Sequence, residues 1–260
     1  MLEQITPVLL TYNEAPNLPR TLAALSWARS IVVVDSFSTD GTLGLLKADP
    51  RIGVVQRKFD SHAAQWNFAI GETGIATDWI LALDADYVLS PELVAELAAL
   101  KPAPGTDAYR ARFDYYVRGK RLWGSLYPPV PVLFRRGRAT YVQDGHTQRL
   151  HVTGAVHDLV APIAHDDRKP FAHWRASQLR YCRLEADKLA RMPWRRLGWP
   201  DRVRKLIFVA PAAVAGYVLI VRGAALQGLA GWQYAFQRVW AETALSRLLL
   251  KRLYRRLAGG

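Results

Sequence analysis

The sequence predicts an α/β protein: a mixed, mostly parallel sheet flanked by helices over residues 1–165, followed by a helical extension over residues 166–260. Three observations carry this. Short apolar runs alternate with amphipathic stretches through the first 100 residues, the pattern of parallel strands joined by crossover helices. Aromatic and β-branched runs punctuated by Gly and Pro come next, from Ala108 to about Ile163. From Arg168 onward the chain reads as helical and becomes strongly basic.

Taken in order, the predicted strands are Pro7 to Thr11, Ile31 to Asp35, Ile52 to Gln56 and Trp79 to Leu83. Between the first two, Leu18, Leu22 and Leu25 recur at helical spacing; Thr39 or Asp40 is placed to cap the second helix, and a third runs from about His62 to Glu72. A fourth helix begins after Ser90 as N-cap, with Pro91 at its first position and Glu92 near the positive end of its dipole. Tyr109 to Val117, Val130 to Arg135 and Gln148 to Val152 then predict a mixed or antiparallel extension of the sheet. Phe171 to Leu189 carries Trp174, Leu179, Cys182 and Ala186 at spacings near three or four, and Pro193 and Pro200 then break the helix.

Half of the residues are hydrophobic and 22% are charged, a balance that predicts a folded protein rather than a disordered one. Residues 1–100 hold 6 Lys/Arg against 12 Asp/Glu, whereas residues 101–260 hold 29 against 10. The two parts therefore do different jobs, and the basic one can face nucleic acid, anionic lipid or an acidic substrate. Cys182 is the only cysteine, which excludes an internal disulfide and any cysteine-based metal cluster. Met1 to Ile5 lacks the basic start and long apolar run of a secretory signal, so the N-terminal domain is expected in the cytosol.

The chemistry is expected where strands end. Tyr12-Asn13-Glu14, Asp35-Ser36 and Asp84-Ala85-Asp86 all lie at strand carboxyl ends, which is where open α/β sheets bind ligands. Asp84 and Asp86 are two apart, and alternate strand residues point the same way, so both carboxylates can reach a hard divalent cation, Mg²⁺ or Mn²⁺, or one can take the metal and the other a ribose. Such an ion neutralises a departing diphosphate as a Lewis acid. Asp35, at the end of an apolar strand, can accept from a base N–H or a ribose hydroxyl, and the small residues after it admit a ligand closely. The cluster His165-Asp166-Asp167-Arg168-Lys169-Pro170 has the charges to bind phosphate or close a lid, or to serve as a solvated helix entry.

Thr11-Tyr12-Asn13-Glu14, Val33 to Thr42 and Leu83-Asp84-Ala85-Asp86 resemble the three nucleotide-binding motifs of glycosyltransferase family 2, the inverting GT-A transferases. The Asp-Ser-Phe-Ser-Thr-Asp form and Leu133-Phe134-Arg135-Arg136-Gly137 resemble the branch that includes lipopolysaccharide core β-glucosyltransferases. The resemblance implies a Rossmann-like GT-A fold and a UDP-sugar donor. It implies that Thr11 and Tyr12 flank the uracil with Glu14 in the same motif, that Asp35 holds base or ribose, and that Arg57 lies beside the nucleotide. Asn67 matches the family's Asn after the third strand, and Asp84 and Asp86 would hold the metal. Inversion also needs a general base to take the acceptor's proton. The lipopolysaccharide enzymes carry a Val-His-Glu element after the Phe-Arg-Arg-Gly strand, and here the corresponding stretch reads Gln143-Asp144-Gly145-His146-Thr147-Gln148. On that reading His146 is a third metal or diphosphate ligand, Asp144 the base, and Asp114 its reserve.

Leu206 to Val221 is a 16-residue run without charge. As a helix it would span about 24 Å, less than a bilayer core of about 30 Å, which suits a membrane-embedded or interfacial segment. Leu245, Leu249, Leu253 and Leu257 recur at i, i+4 with Arg247, Lys251 and Arg255 on another face, the composition of a cationic interfacial helix. A membrane-associating extension is therefore expected, on an anionic surface at the cytoplasmic face of the bacterial inner membrane, peripheral or monotopic. Long apolar runs add nothing to phosphate contacts, so nucleic acid is not expected as a partner. The expected reaction is hexose transfer to a membrane-associated acceptor, a lipopolysaccharide core or another glycolipid. A polyprenyl-phosphate sugar synthase would share the fold and the Asp pair and differ in acceptor, and a non-catalytic membrane or nucleic-acid adaptor would lack donor binding. A nucleotidyltransferase would be expected to carry a Gly-rich, Arg-containing loop where this chain has Asn13-Glu14-Ala15-Pro16-Asn17.

Overall fold

The computed structural model describes residues 1–145 and 147–258. It divides into two compact units. The first comprises residues 1–116, 127–143 and 147–169, and the second comprises 117–126, 144–146 and 170–260.

The first unit is built on strands β1 (Ile5–Thr11), β2 (Ile31–Asp35), β3 (Ile52–Gln56) and β4 (Trp79–Asp84), which run parallel in the spatial order β4-β1-β2-β3. Helices α1 (Leu18–Ala24), α2 (Thr42–Lys47) and α3 (His62–Gly71) make the crossovers. Alternation along the strands explains the layering, because successive side chains face opposite sides of a sheet. Ile5, Leu9, Val33, Leu81 and Leu83 pack with Leu18 and Leu25 and with Leu93 and Leu97 of α4 (Pro91–Ala99). Val8, Val34, Ile80 and Ala82 pack on the other face with Ala63, Trp66 and Ala69 of α3. Both faces are therefore covered, which is why these strands read as nearly continuous apolar runs. Ser90 caps α4 by accepting from the Leu93 N–H at 3.2 Å, as its Ser-Pro-Glu start predicts. The second helix has Gly41 at its N-cap and so no side-chain cap there. Asp40 instead accepts from the Thr42 N–H at 2.9 Å.

Beyond Trp79 the sheet becomes mixed. β5 (Tyr87–Leu89) comes directly after the Asp pair. The predicted single strand at 109–117 is two, β6 (Thr106–Ala111) and β7 (Phe113–Val117), with the short β8 (Lys120–Arg121) after them. β9 (Val130–Arg135) lies antiparallel between β4 and β6. β10 (Ala139–Asp144) and β11 (Thr147–Val152) form a two-stranded ribbon. β12 (Ala155–Asp158) extends the main sheet beside β6, and β13 (Ile163–His165) joins β5 and β7.

The second unit is helical. α5 (Phe171–Arg191) and α6 (Trp199–Lys205) precede α7 (Val209–Gly216), which passes into a π-helical turn at Tyr217–Val221. A 3-10 turn at Ala224–Gln227 leads into α8 (Gly228–Ala258). Cys182, Ala186, Leu189, Leu197 and Leu245 form its core. Among the described residues no single helix is long and apolar enough to cross a membrane, while Val209–Val221 and Ala224–Arg255 form a pair bent by 65°.

Candidate active site

Because β2, β1 and β4 are neighbours in register, with Thr11 opposite Asp35 and Leu10 opposite Asp84, the three polar strand ends do converge on one edge of the sheet. Asp35 has no exposed surface. Its carboxylate accepts from the Thr11 hydroxyl at 2.9 Å, the Ser38 N–H at 2.8 Å, the Ser38 hydroxyl at 2.5 Å and the Gln56 amide at 3.3 Å. An ionised carboxylate has about four acceptor positions, so this one is filled from within. Asp35 therefore fixes the turn after β2, and Thr11, itself buried, supports Asp35 instead of flanking a base. The first loop is fastened to the second. The Asn13 N–H donates to Ser38 Oγ at 2.8 Å, Asn13 Oδ1 accepts from the Thr39 N–H at 2.8 Å, and the Glu14 N–H donates to Thr42 Oγ1 at 2.8 Å. Asn13 and Phe37 both hold positive φ, near 56° and 59°. Tyr12 and Phe37 stand exposed where these loops end, two aromatic faces for a planar base. Phe37 was not legible as such, since an apolar residue between polar ones reads equally well as packing.

The Asp pair is the electrostatic centre. Burial, then the neighbouring Asp86 charge, raises the Asp84 carboxyl to about 6. Burial also acts to raise Asp86, but the His165 imidazole, with Nε2 at 3.1 Å, together with the Lys169 charge and a backbone hydrogen bond, outweighs it and leaves Asp86 below the usual carboxylate range. His165 Nδ1 is buried without a hydrogen-bond partner. The ring stands among Tyr87, Tyr115 and Tyr127 at centroid distances of 5.2, 4.8 and 4.6 Å. Strand pairing puts it there, with His165 opposite Tyr87 on β5 and Tyr115 on β7.

Residues 165–169 are docked through specific partners, although Asp167 and Arg168 keep exposed surface. Arg20 donates to Asp166 at 2.7 Å, and Asn17 Nδ2 donates to Asp167 Oδ1 at 2.9 Å. The Arg168 N–H donates to Asn17 Oδ1 at 2.8 Å, and Lys169 Nζ pairs with Glu14. Burial pushes the Glu14 carboxyl up to about 7 against the opposing Lys169 charge. Lys169 is held above its ordinary value because Glu14, Asp167 and Asp86 together outweigh the burial that would lower it. The segment thus supplies the first unit's acidic edge with two basic groups, His165 and Lys169. Their charge pattern was visible in the sequence; their partners, some 80 and 150 residues away, were not.

Other expected residues stand elsewhere. The Arg57 guanidinium donates to Gln65 at 2.6 Å and Asp60 at 2.7 Å, and its N–H donates to the Asp35 carbonyl at 3.0 Å, so it lies at the edge of the same loops. Asn67 is a correction: its amide donates to the Tyr141 carbonyl at 2.9 Å and accepts from the Tyr141 N–H at 2.8 Å, pinning β10 to α3 with both ends occupied. Phe113 and Tyr115 share a strand face with the His165 cluster, so Asp114 between them points to the opposite face. Asp144, in the second unit, pairs with Lys188 Nζ at 3.0 Å. His146 lies outside the described residues.

The family model for glycosyl transferase family 2 matches residues 7–159, more than half of the chain and every strand end of the candidate site. The chain belongs to glycosyl transferase family 2. Among relatives of this family 2 member, an uncharacterized glycosyltransferase of Rickettsia bellii (strain RML369-C) is 34% identical over 110 residues, 42% of this chain and 36% of its own length. One from Rickettsia felis (strain ATCC VR-1525 / URRWXCal2) is 32% identical over 113 residues, 42% of this chain and 38% of its own. The chain thus spans little more than a third of the length of these curated relatives. Similar solved structures include S. aureus TarS 1-349 in complex with UDP-GlcNAc, at a TM-score of 0.49 and 12% identity over 94% of this chain and 90% of that one. Glucosyl-3-phosphoglycerate synthase from Mycobacterium tuberculosis, in complex with Mn²⁺, UDP and phosphoglyceric acid, gives 0.46 and 14% over 72% and 78%.

The donor set in this family 2 member suits a hard cation only in part. Among the described residues no three His, Cys, Asp or Glu groups gather into a complete protein cage. Two carboxylates completed by substrate phosphate oxygens are, however, the usual way Mg²⁺ is held. Asp84 and Asp86 supply two such carboxylates, and His165 Nε2 stands 3.1 Å from Asp86.

Proposed function

We propose that this family 2 member is an inverting hexosyltransferase that takes its sugar from a UDP-sugar and passes it to a membrane-associated acceptor, a lipopolysaccharide core or another glycolipid. The observation that supports this best is the part-buried Asp84/Asp86 pair at the carboxyl end of β4, one strand away from the Asp35 loop at the end of β2. Tyr12 and Phe37 would sandwich or flank the uracil. Asp35, locked by its own donors, would keep the loop shaped for base and ribose. Asp84 and Asp86 would hold a divalent cation, which when bound neutralises charge on the departing diphosphate. Lys169 would add a fixed positive charge close to the same oxygens, and a preorganised cation in a water-poor edge stabilises developing charge without reorganising. Asp144, whose carboxylate pairs with Lys188 Nζ at 3.0 Å, would receive the acceptor's proton. The apolar, basic helices of the second unit support a location at the cytoplasmic membrane face, peripheral or monotopic.

The test is turnover of UDP-sugar by purified Asp86→Ala protein with Mn²⁺ or Mg²⁺. Removal of a carboxylate that holds the leaving-group cation should cost at least about a hundredfold in rate. Wild-type turnover by this variant would end the assignment.

A further inference from the structure

We infer that the bend between α7 and α8 is a lipid-docking surface, an apolar ring around Arg222 that seats on an anionic bilayer. The inference rests on the membrane-face reading of the proposed function and is independent of the transfer chemistry. Between Lys205 and Arg238 the chain carries one charged side chain, Arg222. The bend turns by 65° through a π-helical turn, Gly223 at φ 66° and Gly228 at φ 61°. Gly231 makes it tight: a Cβ there would lie 1.9 Å from the Ala224 carbonyl oxygen, so the first turn of α8 rests directly on the preceding backbone. The inward face of this hairpin is closed by Val218, Ala224, Ala230 and Tyr234, all at most 4% exposed.

The outward face is apolar and open. Ile220, Leu226, Leu229 and Trp123 are 80%, 79%, 80% and 77% exposed, with Val221 and Trp232 also exposed. The pattern is organised rather than scattered, because Ile220 and Val221 end one helix while Leu229 and Trp232 recur at i, i+3 on the next. Trp123 is held at the same bend, since its backbone N–H donates to Gln227 Oε1 at 2.9 Å. Six side chains showing on the order of 100 Å² each reach or exceed the roughly 300–600 Å² of the largest patch on a typical soluble monomer.

Arg222 decides the occupant. It is exposed, and one arm of its guanidinium donates to the Ser125 carbonyl at 2.6 Å, which fixes the side chain against the loop that carries Trp123. A lone cation encircled by Leu, Ile, Val and Trp matches the headgroup boundary of a bilayer, where apolar groups sink beside acyl chains and a guanidinium meets phosphate. Val209–Val221, at about 20 Å as a helix, falls short of the roughly 30 Å core. The bend therefore lies in one leaflet's interface.

The full chain would be sedimented with vesicles of phosphatidylcholine alone and of phosphatidylcholine with phosphatidylglycerol. Wild-type protein should partition to both and more strongly to the anionic vesicles. Leu226→Ser with Leu229→Ser should weaken partitioning by roughly a hundredfold, whereas Leu45→Ser, an exposed leucine on α2, should leave it unchanged. Arg222→Gln should remove the anionic preference and Arg222→Lys should keep it. Because all these positions are exposed, unchanged thermal transitions would verify folding, and UDP binding measured on the same samples would separate failure here from failure of the transferase reading. Wild-type protein that stays in the supernatant, or a leucine double variant that binds like wild type, would overturn the inference. So would lipid-free self-association abolished by the same double variant, which would give the patch to a second copy of the chain.

Discussion

Asp35 offers the sharpest test of how the donor edge is built. Truncation to Ala withdraws the acceptor from the buried Thr11 hydroxyl and the Ser38 N–H, while the Ser38 hydroxyl can rotate and the exposed Gln56 amide can turn to water. Two part-buried or buried donors left unmatched, at about 1–3 kcal/mol each, give a loss of about 4 kcal/mol. Substitution to Asn differs. Its oxygen can keep the Ser38 N–H, and its NH₂ can face hydroxyls that rotate to accept, so only the charge assistance is lost, about 1 kcal/mol. Urea unfolding of wild type, Asp35→Asn and Asp35→Ala would read these as midpoint shifts at constant slope, with UDP affinity measured on each. The expected order is wild type, Asn close behind, Ala far below, and UDP binding that tracks the order of the loop. Equal destabilisation of both variants would refute the argument, as would an Ala variant within about 1 kcal/mol of wild type, on the scale of an ordinary neutral hydrogen bond. An Asn variant that folds like wild type yet loses all UDP binding would show that Asp35 meets the nucleotide directly.

Asn67→Ala should leave the Tyr141 N–H and C=O without their partner and cost about 2–4 kcal/mol, with UDP affinity in the folded protein unchanged; a roughly tenfold loss of affinity without destabilisation would return Asn67 to the nucleotide. With Asp84 raised to about 6, a proton competes with a cation on the acidic side of that value. Mn²⁺ affinity measured by calorimetry should be flat above about pH 7 and about tenfold weaker at about pH 5, and an affinity independent of pH would argue against Asp84 as a ligand. Asp144→Asn should lower transfer by roughly 10²–10⁴-fold with UDP-sugar binding intact. Loss of binding or of the thermal transition would instead assign Asp144 to the ion-pair network around Lys188, where Asp201 also lies at 3.0 Å.

The sequence by itself determined the layers and the edge where the polar strand ends meet. Strand ends at Thr11, Asp35 and Asp84 and the Ser90-Pro91-Glu92 helix start are local signals, since apolar alternation and capping need only a few consecutive residues. Family motifs at the same positions drew the same edge. Sequence could not decide which side chains spend their hydrogen bonds inside. Asn67 carries the same amide whether it meets a nucleotide or the Tyr141 backbone, and Asp35 looks equally available before its four donors are counted. His165 and Lys169 lay in a charged run whose partners, Asp86 and Glu14, arrive only through pairing of the three-residue strands β5 and β13 and docking on α1. Strands that short carry no periodicity to read. Tertiary structure alone sets these contacts, because they join residues brought together by the fold and leave no trace in the spacing of either segment.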